Sequence, residues 1–202
     1  MPVRGAIENG TRLFLMPMGP FNKKSPAHPD FDRFWSILNE AHCRVVYHVS
    51  EAIYMKDHMA VWGEPVQQSR QRQTAFVWMH GYSERPVVET LSSMILWNFF
   101  ARFPNLRLLS AENGSEWVPS MLVKMDKCRG MAKNGYWPGG QLKERPSNVF
   151  KRHVSVIAYP EEVTRIRMEF DTAGRFVWHC HILEHEDHEM MRPLQVGPAQ
   201  PG

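Results

Sequence analysis

The stretch Gly174 to Leu194, Gly-Arg-Phe-Val-Trp-His-Cys-His-Ile-Leu-Glu-His-Glu-Asp-His-Glu-Met-Met-Arg-Pro-Leu, constrains this chain more than any other. Side chains of ligand type crowd into it: His179, Cys180, His181, His185 and Met190. Arg175 to His181 reads as a strand, and successive strand side chains point to opposite faces, so His179 and His181 share one face while Cys180 takes the other. Cys180, His185 and Met190 offer a thiolate, an imidazole and a thioether. That soft mixture selects copper in an electron-transfer site of two His, one Cys and a weak axial Met. The second His of the set does not lie in the stretch. A copper on Cys180 would be wired through the backbone to a metal cluster touched by His179 and His181.

Length and charge narrow the rest. The 202 residues suffice for one domain, or one plus a fragment, with a real core. Twenty-four basic against twenty-one acidic residues nearly balance, and the basic ones are scattered, which speaks against nucleic acid as a partner. Cys43, Cys128 and Cys180 are odd in number and far apart, so no disulfide framework is expected, and Cys43 and Cys128 read as reduced, partly buried thiols. The apolar patch Leu13-Phe-Leu-Met16 stops at Pro17, too short for a signal-peptide core or a membrane span. No membrane association is expected, and the default compartment is the cytoplasm. The thirteen methionines need no copper to explain them, because Met fills irregular cores.

Periodicity then orders the chain. Residues 30–42 place Phe31, Phe34, Trp35 and Leu38 on one helical face, and Cys43 to Val49 follow as a buried strand. Residues 55–75, polar and rich in Gln and Arg, read as a long loop. Val87 to Phe103 forms the strongest helix, with Val88, Leu91, Met94, Ile95 and Phe99 on a stripe, Pro86 in its first turn and Pro104 past its end. A strand is expected over Leu106–Glu112, a helix over Ser115–Lys133 and a loop over Tyr136–Asn148. Strands are expected again over His153–Tyr159 and Thr164–Phe170. Helices alternating with buried strands predict an α/β unit up to about residue 160, and closely spaced strands after it. No internal repeat is evident.

Residues from about Val163 to Val196 resemble the C-terminal end of a multicopper oxidase of the bacterial spore-coat laccase and bilirubin oxidase type. The resemblance implies His179 and His181 as ligands of paired coppers, and Cys180, His185 and Met190 as ligands of the electron-accepting copper. Such oxidases also carry a His-Pro-x-His-x-His segment earlier in the same domain and two His-x-His segments in an N-terminal domain. The chain has neither, since His28-Pro29 is followed by Asp30 and Phe31.

Asp30-Phe-Asp-Arg-Phe-Trp, Val45-Val-Tyr-His-Val49, Asn98-Phe-Phe-Ala-Arg-Phe-Pro-Asn-Leu-Arg107 and Ala111-Glu-Asn-Gly-Ser-Glu-Trp-Val-Pro119 are similar to the metal-dependent amidohydrolases related to aminocarboxymuconate-semialdehyde decarboxylase. This second resemblance implies a slice of a (β/α)₈ barrel, with His48 as a metal ligand and position 112 at a strand end that carries another site residue. Strand C-terminal ends are where barrel enzymes keep their chemistry. Two family features are absent, the His-x-His of the first barrel strand and the Ser-Asp-x-Pro-His segment. On its residues alone His48 also reads as an imidazole hydrogen-bonded in a core. His42, His58, His80 and His153 have no partner spacing and read as surface or satisfied histidines. Glu112 and Glu116 do not recommend themselves as general bases, and Glu116 can simply favour a helix N-terminus.

The expected fold is therefore α/β, a partial (β/α) barrel-like segment followed by a short β-rich, cupredoxin-like tail, divided as 1–161 and 162–202. The chain reads as a chimera. Its first functional expectation is copper-dependent oxidation of small phenol-type substrates with oxygen as acceptor, with Cys180, His179 and His181 as the catalytic set. The alternatives are a zinc- or manganese-dependent hydrolase or decarboxylase using His48, and a metal binder without turnover. Neither site closes on the residues of one chain, so a homo-oligomer is the expected source of further donors.

Overall fold

In a computed structural model the described residues are 2–49, 52–65, 72–82 and 84–157, together with the backbone of 174–179 and 191–196. Four parallel strands carry the first of two units, Met1–Glu162. They are β1 (Leu13–Leu15), β2 (Arg44–His48), β3 (Arg107–Ala111) and β4 (Val154–Val156), lying side by side in chain order. Parallel neighbours require long crossovers. The first passes through α2 (Asp32–Glu40). The second runs through α3 (Ile53–Ala60), α4 (Ala75–Gly81), α5 (Arg85–Leu96) and α6 (Phe99–Arg102), and the third through α7 (Trp117–Met131) and α8 (Pro146–His153). A short helix α1 (Pro2–Glu8) precedes β1 and was not foreseen in the sequence.

The helices pack on one face of this sheet. Val45, Tyr47, Leu108 and Val154 share a single core cluster with Trp35, Leu91, Met94, Phe99, Met125 and Phe150. Burying such side chains contributes about 1.5–3 kcal/mol each. Tyr47 spends its polar atom inside that core by donating to Met94 Sδ at 3.2 Å, and Trp35 donates its indole N–H to the Pro26 carbonyl at 2.7 Å. The opposite face is far less covered: Leu13 is 58% and Leu15 70% exposed.

Several expectations are corrected. The 55–75 loop contains α3 and the approach to α4, because Met55 and Met59, four apart, bury against Ala52 in a satellite cluster. The helix expected over Val87–Phe103 breaks in two at Asn98, which takes a left-handed conformation (φ 53°, ψ 35°) that Asn tolerates better than most residues. Asn98 donates from Nδ2 to the Gly139 carbonyl at 3.2 Å, and a Cβ on Gly139 would meet the Trp97 carbonyl oxygen at 1.8 Å. The loop expected to Asn148 ends early, as Pro146 starts α8 from its first turn. Cys43 is fully buried as a reduced thiol, whereas Cys128 is exposed rather than partly buried.

The second unit spans Val163–Gly202. In it β5 (Gly174–His179) pairs antiparallel with β6 (Met191–Val196), with His179 opposite Met191 and Trp178 opposite Arg192. The strand expected over Thr164–Phe170 lies outside the described residues, as does the end of the strand expected to reach His181.

Candidate functional site

The C-terminal ends of β2 and β3 meet at one pair of side chains. His48 closes β2 opposite Ala111, and Glu112 follows immediately after β3. The register therefore puts the two side chains at the same level of the sheet, and His48 Nε2 lies 3.2 Å from Glu112 Oε1. The other ring nitrogen, Nδ1, lies 2.8 Å from the Val49 carbonyl oxygen. Both nitrogens thus face acceptors, an arrangement that an imidazolium satisfies by donating twice, or a neutral ring together with a protonated carboxyl. Both side chains are two-fifths exposed, at 42% and 41%. His48 is consequently a rim residue and not the core imidazole of its alternative sequence reading.

Glu112 holds φ at +56°, a conformation uncommon for a residue with a side chain and worth a functional look. Its neighbour Asn113 explains how the turn is held. Nδ2 of the buried Asn113 donates to the Tyr47 carbonyl at 2.9 Å, the Ala111 carbonyl at 2.9 Å and Ser110 Oγ at 3.1 Å. Trp117 closes the loop from the other side, its indole N–H reaching the Asn113 and Gly114 carbonyls at 3.0 and 2.9 Å. Sequence reasoning passed over Asn113, although an Asn-Gly step directly after a strand is a turn signal. Its Oδ1 is buried and makes no hydrogen bond.

Beside this turn an open cleft of about 560 Å³ runs between the starts of α5 and α7, lined by Arg85, Glu89, Asn113, Glu116 and Lys124 among others. Glu89 accepts from Tyr54 Oη at 2.7 Å and from Arg85 Nε at 2.9 Å, and Arg85 Nη1 reaches His58 Nε2 at 2.6 Å. Burial, reinforced by the Glu89 carboxylate, pushes the Tyr54 phenol well up. Glu116 occupies the residue before α7, as its helix-start reading implied.

Of the remaining expected site residues, His179 lies in β5 opposite Met191. Cys180, His181, His185 and Met190 lie outside the described residues. Among the described residues no group of three or more His, Cys, Asp or Glu is arranged to hold a metal ion. His153 is the satisfied histidine expected of it, buried and stacked on Phe100 at 4.1 Å between ring centroids.

Residues 129–200 match a family model described as Multicopper oxidase. A laccase of Bacillus subtilis (strain 168) is 54% identical over 43 residues, which make up 21% of this chain and 8% of that protein. Among solved structures, an amidohydrolase from Mycobacterium avium subsp. paratuberculosis K-10 superposes with a TM-score of 0.64 at 25% identity, covering 80% of this chain and 39% of its own. The chain is similar to two families. A second structure, the 5-carboxyvanillate decarboxylase of Novosphingobium aromaticivorans DSM 12444 complexed with manganese and a nitrobenzoic acid, superposes with a TM-score of 0.57 at 20% identity. It covers 76% of this chain and 41% of its own, and shares the α/β fold.

These likenesses agree with the two resemblances read from the sequence, a copper-oxidase end joined to an amidohydrolase-like segment. The chain spans only a small part of the laccase and less than half of either barrel structure. The oxidase match begins inside α7, so α8 and β4 fall within it while folding with the parallel sheet. No helix among the described residues is long and apolar enough to cross a membrane.

Proposed function

We propose that the chain is a copper-binding oxidoreductase of the multicopper oxidase kind, which oxidises small phenol-type substrates with oxygen as acceptor. The observation that carries this reading is the run of 54% identity to a laccase. The donor chemistry fits the metal: thiolate, imidazole and thioether suit copper better than zinc or a hard divalent ion. Cys180, His185 and Met190 would hold an electron-accepting copper, and His179 and His181 would face a copper cluster. Copper supplies one-electron acceptance from the phenol and, as a cluster, reduction of oxygen to water. Cys180 joins these functions, since its backbone is continuous with both imidazoles. In this reading residues 1–161 form the amidohydrolase-like segment and 162–202 the copper-motif tail. Further donors come from other subunits. Copper titration of the wild type and of Cys180→Ser tests it: the two should differ by about one tightly bound equivalent, the thiolate being the softest donor in the set. Equal uptake by both removes the proposed site.

A second reading, a zinc- or manganese-dependent hydrolase or decarboxylase, is favoured by one observation, the His48–Glu112 pair on the C-terminal rim of the sheet. The residues do not fit a catalytic metal. About three protein ligands and an open position are required, and the described residues bring together only these two donors. Turnover of a benzoate-type carboxylic acid with added Zn²⁺ or Mn²⁺, abolished in His48→Ala, would favour this reading over the first.

A further inference from the structure

The parallel sheet ends at two edges that no described strand covers, since β1 pairs with β2 alone and β4 with β3 alone. On β1 the Arg12 carbonyl accepts from Arg44 N at 2.7 Å and Met16 N donates to the Val46 carbonyl at 3.0 Å. Backbone groups alternate sides along a parallel strand, so the N–H and C=O of Leu13 and Leu15 point to the open edge. At the other edge Ile157 N donates to the Ser110 carbonyl at 2.9 Å, which turns the N–H and C=O of Val156 outward. The sheet face away from the helices is uncovered toward both edges, with Leu15 70% and Ile157 48% exposed. Unpaired parallel edges and an apolar exposed face are features that folded proteins cover.

We propose that a second copy of this chain covers this face and both edges, β1 of each copy pairing with β4 of the other, so that two four-stranded sheets close into one eight-stranded barrel. Symmetry singles out this occupant. A two-fold axis along the strands keeps all eight parallel, and each copy offers the edge the other lacks, so the contact is self-complementary and closed. Edge lengths match, at three residues on β1 and three on β4. Eight strands is the count at which side chains just fill a barrel interior. From strand spacing and rise, the sheet face measures roughly 300 Å² per copy. Specific dimers bury about 800 Å² per partner, so the two edges and the side chains flanking them must join the contact.

The arrangement has one repulsive element. Arg44 lies on the same face as Leu13 and Leu15, and its exposed guanidinium donates to the His42 carbonyl at 3.1 Å. Its register partner Arg107 starts β3 at the same level, so two copies bring four guanidinium groups to one rim, and added salt should tighten the dimer by screening them. The opposite rim receives two His48–Glu112 pairs, which doubles the donors available there. The assembly does not depend on copper binding by the tail, and loss of the copper site leaves it unchanged.

Sedimentation equilibrium of the full chain over a wide concentration range tests the proposal. The wild type should dimerise, and Leu15→Glu should weaken the dimer by about a hundredfold, because it buries an unpaired carboxylate in the closed barrel. Ser155→Arg, exposed on the same face, should act alike, and Val123→Glu, 70% exposed on α7, should change nothing. Circular dichroism confirms that each variant is folded. Amide hydrogen exchange at Leu15 and Val156 should show protection that falls on dilution. A monomer at every concentration overturns the proposal, as does a dimer indifferent to Leu15→Glu and Ser155→Arg. Protection of both amides unaltered by dilution also overturns it and assigns the face to another part of the same chain.

Discussion

His48 Nε2 stands 3.2 Å from Glu112 Oε1 while His48 Nδ1 stands 2.8 Å from the Val49 carbonyl, so one imidazole bridges the ends of two neighbouring strands. Both partners are two-fifths exposed, which places the pair where water competes for every bond. Exposed ion pairs contribute about 0–1 kcal/mol. His48→Gln and Glu112→Gln should each therefore cost no more than about 1 kcal/mol in urea unfolding. A loss several times larger would show that the pair holds the strand ends together and is not free for chemistry.

Asn113 should behave in the opposite way. Its buried amide bonds both strands at once, through the Tyr47 and Ala111 carbonyls. Asn113→Ala leaves those acceptors short of a donor, with an expected cost of about 1–3 kcal/mol. Asn113→Asp should be worse, because a carboxylate oxygen would then face carbonyl oxygens. Urea midpoints for the two variants check the order, and an Asp variant as stable as wild type would contradict the hydrogen-bond assignment.

His153 links stability to pH. Burial holds its imidazole below the usual histidine range, the Arg107 and Arg152 charges act in the same direction, and a hydrogen bond to the Leu106 carbonyl opposes them. The native ring therefore stays neutral, with Nδ1 donating to Leu106 O at 3.0 Å and Nε2 accepting from Arg152 Nε at 3.3 Å. Because the folded value is depressed, the unfolded chain binds the proton first as pH falls. Stability is then fully present above about pH 6.5 and is lost progressively below it, down through the folded value. His153→Gln should flatten this slope below about pH 6.5 in urea titrations, and an unchanged slope would assign it to other groups.

What could be read in the sequence follows from how far each signal reaches. The strands expected over Cys43–Val49 and Leu106–Glu112 form at Arg44–His48 and Arg107–Ala111, and the helix expected over Ser115–Lys133 forms at Trp117–Met131. All three carry apolar runs long enough to declare their period. The helix α3 escaped because its buried face is little more than Met55 and Met59 in a polar setting. The break at Asn98 depends on Gly139, far along the chain, and could not be read locally. His48 and position 112 both stand out by resemblance, but their pairing is not legible in the sequence, since Glu112 reaches His48 only through the register of β2 and β3. The five ligand-type residues of the tail stand out by their side-chain chemistry, and four of them lie outside the described residues.

Strand order that repeats chain order has a consequence for how the first unit is made. Each new strand adds at the edge left by the one before it, and none must be threaded between two already in place. A chain emerging from the ribosome can lay down β1, then β2 with its crossover, and continue outward, each step templated by a finished neighbour. Such one-directional growth has no internal signal to stop, so after β4 the nascent sheet presents the same kind of sticky margin that received every earlier strand.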